Sequence, residues 1–302
     1  MSKICTLREA ISSIEDGAAV AMGCGLESLI PFAAGYEIIR RKKRGLTLVA
    51  PISDIQFDQL IGAGSARKIV AAWVGNVAAG LGHNFRRAME EGIPRPLEVE
   101  EHSNFTIALG LKAAGMGLPY LPTRTALGSD FSEAPHFRAI TCPFTGERLL
   151  AVRAVAPDVA ILHVQRADSE GNAHLWGNLG VVREAAYAAK RVILTCEEVV
   201  DHEVILSDPN RTLIPGFLVS HVVDAPFGSH PSPTQGYARR DDDFYFDYHR
   251  QSRSLEGFQE WLQKWVFGAG DHEGYLDLLG KERREKLKPG RELCSPAVNF
   301  SV

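Results

Sequence analysis

Residues 18–25 read Ala-Ala-Val-Ala-Met-Gly-Cys-Gly, a short apolar run that ends in a Gly-Cys-Gly turn. An apolar run of this length is typical of a buried strand, and glycine allows the chain to turn sharply into the next element. Pro31 is placed like a first-turn proline and opens a helical pattern that ends in the basic cluster 40–44, where positive charge complements the helix dipole. The order of strand, turn and helix indicates the start of an α/β fold.

The same alternation continues along the chain. Five further apolar runs have the length and composition of buried strands. They lie at 46–50, 68–72, 159–164, 192–196 and 218–223. Strands that alternate with helices predict a three-layer αβα fold with a mostly parallel central sheet. We expect residues 1–250 to form one domain and residues 251–302 a helical C-terminal extension that packs on the same domain or on a partner.

Composition and charge narrow the class of protein. The chain has 302 residues and a formal net charge of -4, which argues against a nucleic-acid partner or an anionic membrane surface. The longest mainly apolar stretch, 69–82, is shorter than the roughly 18–20 residues that cross a membrane. Scattered cysteines without a CxxC pair suggest reduced thiols. They are Cys5, Cys24, Cys142, Cys196 and Cys294. We therefore expect a cytoplasmic protein.

Several cofactor motifs begin in this sequence and then fail. The Gly-Cys-Gly turn follows a strand, where dinucleotide-binding folds place GxGxxG, but Ser28 occupies the third glycine position. A GxxxxG run from Gly75 has Leu81 in place of the P-loop lysine. Two His-Glu pairs lead to Leu206 and Leu276, where a zinc site of the HExxH type has its second histidine. These departures predict no metal site and no bound cofactor.

Paired carboxylates stand at the predicted ends of two strands. Glu98, Glu100 and Glu101 come just before Ser103, which can cap a helix, and Glu197-Glu198 follow the run at 192–196. Ligands usually bind where the strands of an α/β sheet end. Either group is therefore a candidate general acid or base, and the alternative is a structural salt bridge.

A series of motifs occurs in a fixed order along nearly the whole chain. They are MSKICTLREAI (1–11), AVAMGCG (19–25), PFAA (31–34), LIGAG (60–64), FRRAMEEG (85–92), GLPYLPTR (117–124), VAILHVQRADSEGNAHLWG (159–177), LTCEEVV (194–200), IPGFLV (214–219), APFGSHPSP (225–233) and WVFGAGDHEGYLDLLG (265–280). In this order they resemble the α-type subunits of family I coenzyme A (CoA) transferases, in particular glutaconate CoA-transferase.

The resemblance implies a reaction shared between two subunits. A glutamate of a partner β-type subunit, in an α2β2 or αβ assembly, attacks an acyl-CoA thioester and passes through an acyl anhydride to a glutamyl-CoA thioester. This chain then contributes the backbone N–H groups of Gly23, Cys24 and Gly25, which stabilise the oxyanion. The substrates are an acyl-CoA and a small carboxylic acid, possibly dicarboxylic. The residues expected to bind substrate are Ser53, Asn76, Ser103, Asn104, Gly128 and Ser129.

Departures from the family pattern leave alternatives open. Leu29-Ile30 replace polar and basic residues of the glutaconate enzyme, which puts recognition of a dicarboxylate in doubt. Asn104 stands where related steroid-ring-opening hydrolases carry a catalytic glutamate, which disfavours hydrolysis. A decarboxylase on the same two-subunit scaffold differs in a residue of the partner chain. A binding protein that has lost its catalytic partner is the alternative without enzymatic activity.

Overall fold

A computed structural model describes residues 2–290 of the chain. The last part of the predicted C-terminal extension, 291–302, and with it Cys294, lies outside the described residues. Fourteen strands form within the described part. They are β1 (Ala19–Met22), β2 (Leu46–Ile52), β3 (Ala66–Trp73), β4 (Gly75–Asn76), β5 (Gly80–Leu81), β6 (Glu98–Glu101), β7 (Tyr120–Thr123), β8 (Phe137–Thr141), β9 (Arg148–Arg153), β10 (Val159–Ala167), β11 (Ala173–His174), β12 (Arg191–Val199), β13 (Thr212–Ile214) and β14 (Val219–Asp224).

Helices connect these strands. Within residues 2–290 the α-helices are α1 (Leu7–Ser12), α2 (Phe32–Arg40), α3 (Asp54–Gly62), α4 (His83–Glu90), α5 (Asn104–Gly115), α6 (Val182–Ala188), α7 (His202–Leu206), α8 (Asp242–Gln251), α9 (Leu255–Leu262), α10 (His272–Leu279) and α11 (Lys281–Leu287). A π-helical turn at Gln263–Phe267 follows α9. No helix in this part of the chain is both long enough and apolar enough to cross a membrane.

The central sheet is mostly parallel, as the alternating pattern predicts. Its parallel strands run in the order β14-β12-β10-β1-β2-β3-β6, and β11 and β13 add an antiparallel edge to β10. The chain moves from β1 through β2 and β3 to β6 on one side, and then crosses to β10 on the other side of β1. The strand order therefore reverses between β1 and β10, and crevices at such reversals bind ligands in α/β proteins.

Two groups of helices pack on this sheet. α5 contacts β2 and β3 and lies along α6, which contacts β10. In the second group, α2 contacts α1 and α3, and α3 contacts β3. The predicted αβα fold is thereby confirmed. One local prediction shifts by a residue: Pro31 occupies the position before α2 rather than its first turn, and the helix begins at Phe32.

A small antiparallel sheet, which the sequence patterns do not predict, stands apart from the central one. Its strands run in the order β7-β9-β8 and enclose an apolar cluster of Phe137, Leu150 and Val152. The small sheet attaches beside the end of β6, because His136 Nε2 lies 2.8 Å from the carbonyl oxygen of Glu101.

The helical C-terminal region packs on α2 and α3 of the same chain. The ring of Tyr36 in α2 lies 5.9 Å from that of Trp261 and 5.2 Å from that of Tyr275. The hydroxyl of Tyr248 donates to Asp58 in α3 at 2.6 Å. These aromatic side chains belong to the same apolar core as the central strands. The division of the chain into a domain at 1–250 and an extension at 251–302 stays a prediction, because the two parts share one apolar core and that core gives no boundary between them.

Candidate functional site

Four predicted site positions follow four neighbouring parallel strands. Gly23 follows β1, Ser53 follows β2, Asn76 lies just beyond β3, and Ser103 comes soon after β6. Because parallel strands end at the same edge of a sheet, the structure places these residues along one edge. Gly128 and Ser129 lie instead in the exposed loop between β7 and β8, where the hydroxyl of Ser129 donates to the carbonyl oxygen of Ala126 at 2.8 Å.

The turn after β1 approaches the residue after β2 closely. Gly23 has a φ of +75°, a conformation that favours glycine. A Cβ atom at this position would lie 2.8 Å from the Cβ of Ser53, so a larger residue would displace one of the two loops. The Ser53 hydroxyl is buried and faces the Met22 carbonyl oxygen at 3.4 Å and Gln56 Oε1 at 3.3 Å. Ser53 therefore supports the turn, and its part in substrate binding stays a prediction.

The middle of the turn offers backbone donors rather than a reactive thiol. Cys24 is 1% exposed, and burial together with the nearby Glu184 carboxylate raises the pKa of its thiol to about 12. The thiol is therefore protonated at neutral pH, whereas a cysteine nucleophile must be a thiolate. The Cys24 carbonyl oxygen accepts from the N–H of Val181 at 2.8 Å. Within residues 2–290, the N–H groups of all three predicted donors, Gly23, Cys24 and Gly25, have no protein acceptor. Unpaired backbone donors in a buried turn are uncommon and can bind an anionic oxygen.

Left-handed backbone conformations cluster in the loops at this edge. Leu26, Leu29, Asp54 and Phe227 have φ values of +66°, +54°, +47° and +57°. Such conformations cost about 1–3 kcal/mol each in residues other than glycine and persist only where the surroundings hold them. Asp54 shows how one of them is held, since its carboxylate accepts from the Val77 N–H at 3.0 Å and from Arg240 at 3.1 Å. Burial raises the pKa of Asp54 despite the neighbouring Arg240.

Asn76 is fully engaged with the protein. Its amide oxygen accepts from the N–H groups of Ala78 and Ala79 at 3.0 and 3.1 Å, and its amide nitrogen donates to the Tyr245 carbonyl oxygen at 2.9 Å. These bonds hold the β4–β5 turn against α8.

The helix that follows β6 is capped as the sequence predicts. The Ser103 hydroxyl accepts from the Thr106 N–H at 3.1 Å, and Asn104 is exposed in the first turn of α5. Of Asn76, Ser103 and Asn104, it is therefore Asn104 whose side chain is exposed to solvent and has no hydrogen-bond partner within residues 2–290. Substrate binding by all three residues stays a prediction.

The paired carboxylates lie in two strands: Glu98, Glu100 and Glu101 belong to β6, as predicted, whereas Glu197 and Glu198 lie within β12 rather than after its end. Glu100, in β6, pairs with Lys68 at 2.7 Å and with Arg153 at 3.0 Å. A hydrogen bond that its carboxylate accepts from His102 contributes most to holding the pKa of Glu100 well below the usual range despite burial. Of the two interpretations, a general acid or base and a structural salt bridge, the contacts of Glu100 match the salt bridge. Glu197 and Glu198 are adjacent in β12 and face different surroundings. Glu197 is buried beside His163, and Glu198 pairs with Arg166 at the surface.

A cleft opens beside the turn, near the reversal of strand order. Its volume is about 420 Å³, within the range of small-molecule sites. Its lining includes Glu27, Ser28, Asn178, Gln235, Arg239 and Arg240. The sequence does not predict that residues 178 and 235–240 line this cleft, because they lie in loops that contain no recognised motif. Among the described residues, no group of three or more His, Cys, Asp or Glu side chains is arranged to hold a metal ion.

Comparisons with known proteins agree with this architecture. Residues 4–225 match the coenzyme A transferase family. This chain belongs to the coenzyme A transferase family. It is 44% identical over 274 residues to one subunit of the 3-oxoadipate CoA-transferase of Pseudomonas knackmussii, covering 90% of this chain and 96% of the relative. It is also 34% identical over 307 residues to one subunit of the glutaconate CoA-transferase of Acidaminococcus fermentans, covering 95% of each chain.

Solved structures confirm the CoA-transferase fold. The crystal structure of glutaconate CoA-transferase from Acidaminococcus fermentans superimposes with a TM-score of 0.91 at 33% identity, over 96% of each chain. A variant of the decarboxylase AibA/AibB superimposes with a TM-score of 0.75 at 31% identity, over 87% of this chain and 100% of that one. The family predicted from the ordered motifs is confirmed, and the chain corresponds in length and fold to a single subunit of these CoA-transferases.

Proposed function

We propose that this chain is the α-type subunit of a two-subunit CoA-transferase that moves CoA between an acyl-CoA and a small carboxylic acid. The observation that carries the proposal is the Gly23-Cys24-Gly25 turn, where backbone N–H groups that have no acceptor within residues 2–290 lie at the reversal of strand order. Both CoA-transferase relatives named above are one of the subunits of their enzyme, which supports a β-type partner, in an αβ or α2β2 assembly. The same proposal includes a cytoplasmic enzyme that needs no metal or bound cofactor.

The turn stabilises negative charge while the partner performs the nucleophilic step. A glutamate carboxylate of the β-type partner adds to the thioester carbonyl, and the resulting oxyanion accepts from the N–H groups of Cys24 and Gly25. The CoA thiolate then leaves an acyl anhydride, attacks its glutamyl carbonyl and releases the carboxylic acid, so that a glutamyl-CoA thioester remains. The acceptor acid reverses these steps. Each donor of this kind contributes about 2.7–4 kcal/mol to transition-state stabilisation in a site that excludes water.

The acceptor is proposed to be a dicarboxylic acid of the size of 3-oxoadipate, the acid in the name of the 44% identical relative. The apolar pair Leu29-Ile30, which puts dicarboxylate recognition in doubt, is 2% and 0% exposed and belongs to the core. Its apolar character therefore does not bear on the substrate. Arg239 lines the cleft and has no ion-pair partner among residues 2–290, so it is available for a second carboxylate.

Co-expression with a β-type subunit tests the proposal. The purified complex should exchange CoA between succinyl-CoA and 3-oxoadipate, the chain alone should not, and replacing the partner's nucleophilic glutamate by alanine should abolish exchange. Robust exchange by the isolated, monodisperse chain would overturn the two-subunit mechanism. The similarity to the AibA/AibB decarboxylase supports decarboxylation of a CoA thioester as the second candidate. Release of CO₂ without CoA exchange would favour that reaction.

A further inference from the structure

A buried histidine–glutamate pair lies behind the turn, and the mechanism above does not use it. His163 in β10 is 0% exposed, and its Nε2 lies 3.1 Å from Oε1 of Glu197 in β12. His163 and Thr195 are opposite each other in the two parallel strands, and His163 Nδ1 lies 2.9 Å from Thr195 Oγ1. Glu197 stands two residues beyond Thr195, so the three side chains share one face of the sheet near the edge that carries the site.

Glu197 holds a neighbouring loop in an unfavourable backbone conformation. Its second oxygen, Oε2, accepts from the N–H of Phe227 at 2.8 Å. Phe227 has a φ of +57°, which costs a bulky residue free energy unless its surroundings hold it there. Burial alone would raise the pKa of Glu197, but hydrogen bonds from His163 and from the Phe227 N–H lower it below its usual range. The carboxylate is therefore ionised and accepts from both partners, which requires a hydrogen on His163 Nε2.

The loop that contains Phe227 in turn holds the segment that leaves the Gly-Cys-Gly turn. We call residues 225–234 the clamp segment. The Gly228 carbonyl oxygen accepts from the Ala33 N–H at 2.9 Å, and the Pro233 carbonyl oxygen accepts from the Leu29 N–H at 3.1 Å. The hydroxyl of Ser232 accepts from the Ile30 N–H at 3.1 Å. These three bonds fix residues 29–33, which are separated from the turn only by residues 26–28.

The clamp segment also lies directly over the histidine. A Cβ atom added at Gly228 would come within 3.0 Å of His163 Cε1. The pair thus contacts the clamp segment through this packing and through the Phe227 N–H. A continuous set of contacts thus connects the Glu197 carboxylate, through the clamp segment and its three hydrogen bonds, to residues 29–33.

We propose that Glu197, oriented by His163, is a positioning residue for CoA transfer that fixes the clamp segment and thereby aligns the N–H groups of Cys24 and Gly25. This inference rests on the proposed function of the turn. It predicts that loosening the carboxylate slows the chemical step and leaves substrate affinity and assembly with the partner in place.

The test compares two adjacent glutamates of β12. Glu197→Gln replaces two acceptor oxygens by one. The glutamine side chain therefore cannot accept hydrogen bonds from both the Phe227 N–H and His163 Nε2, as the carboxylate does. In the complex, kcat should fall at least about 10-fold, equal to about 1.4 kcal/mol, while KM changes less than about 3-fold. Glu198→Gln is the matched control, because Glu198 is half exposed and pairs with Arg166 and the Tyr237 hydroxyl. It should retain the wild-type kcat.

A rescue variant separates positioning from a general structural role. In the Glu197→Gln background, Phe227→Gly should recover part of kcat, because glycine adopts a φ of +57° without being held. A merely structural defect would be deepened by removing the phenylalanine side chain. If Glu197→Gln does not assemble with the partner, Ser232→Ala decides the question, because it breaks the link to Ile30 at its other end. It should lower kcat selectively.

The outcomes distinguish this inference from the proposed function. A wild-type complex without CoA exchange refutes the proposed function. If the wild-type complex is active and the Glu197→Gln and Ser232→Ala complexes have the same kcat as the Glu198→Gln complex, only the positioning role is refuted. A loss of kcat in Glu197→Gln that Phe227→Gly does not restore also counts against it.

Discussion

Two glycines flank β1 and provide a matched test of the turn. Gly17 and Gly23 have φ values of +83° and +75°, so alanine at either position adopts the same unfavourable backbone conformation. This strain costs roughly 1–2 kcal/mol of folding free energy. A Cβ atom at Gly17 would have no atom within 4 Å, whereas a Cβ atom at Gly23 would lie 2.8 Å from the Cβ of Ser53. Gly23→Ala therefore carries the same strain and also displaces the turn.

The expected effect on catalysis follows from that displacement. If the turn moves, at least one of the Cys24 and Gly25 donors loses its alignment, and losing one such donor costs about 2.7–4 kcal/mol, or about 10²–10³-fold in kcat. Gly17→Ala should keep the wild-type kcat. Steady-state CoA exchange by the two complexes gives kcat, and thermal unfolding measures the strain that the variants share.

The displacement can also be relieved. Ser53→Gly in the Gly23→Ala background removes the overlapping Cβ and Oγ atoms and should recover part of kcat. A kcat for Gly23→Ala within about 3-fold of that for Gly17→Ala would refute the assignment of the turn as the oxyanion site.

Three further predictions follow from the described contacts. An alkylating reagent at neutral pH should label Cys142, whose pKa is lowered by hydrogen bonds from Thr145 and from the backbone, and leave Cys24 unlabelled, which peptide mass analysis can measure. Cys24→Ala should keep most of the activity in the CoA-exchange assay. Asp241→Asn should lower the free energy of unfolding by about 3–5 kcal/mol at pH 7, because the Asp241 carboxylate accepts from the buried His230 and from the partly buried Arg283. The pKa of Asp241 is below its usual value because these bonds outweigh burial. The stability that Asp241 contributes is therefore fully present above the unfolded-state pKa of about 3.9 and is lost as the pH falls through the folded-state pKa. A melting-temperature difference between wild type and variant that does not narrow below about pH 4 would contradict this. Asn104→Ala should lower the rate of CoA exchange moderately. If the variant has wild-type kinetics with every pair of acyl donor and acceptor that the enzyme uses, Asn104 has a structural role only.

The sequence predicts the buried strands well and the small sheet not at all. β1, β2, β3, β10 and β12 contain nearly continuous apolar runs, because the middle of a parallel strand is buried when helices cover both faces of the sheet. The strands of the small sheet lack this signal. Tyr120–Thr123 and Phe137–Thr141 mix apolar, polar and exposed residues, and only their mutual pairing with β9 defines them as strands.

The candidate site shows the same division. The Gly-Cys-Gly turn is predicted because strand and turn are contiguous in sequence. Ser53 and Asn76 lie at the sheet edge in the structure, and their hydrogen bonds show what spacing in the sequence cannot, namely that both side chains are bonded to the protein. His163 and Glu197 are 34 positions apart, and only the register of β10 with β12 brings them together.

The central claim is that the nucleophile lies on the partner and the oxyanion donors lie on this chain. Incubating the complex with an acyl-CoA and no acceptor acid, followed by intact mass measurement of both chains, tests this directly. We expect the β-type partner to gain the mass of CoA less one water and this chain to be unchanged. An acyl or CoA adduct on this chain, mapped by peptide mass analysis to Cys24 or Glu27, would contradict it.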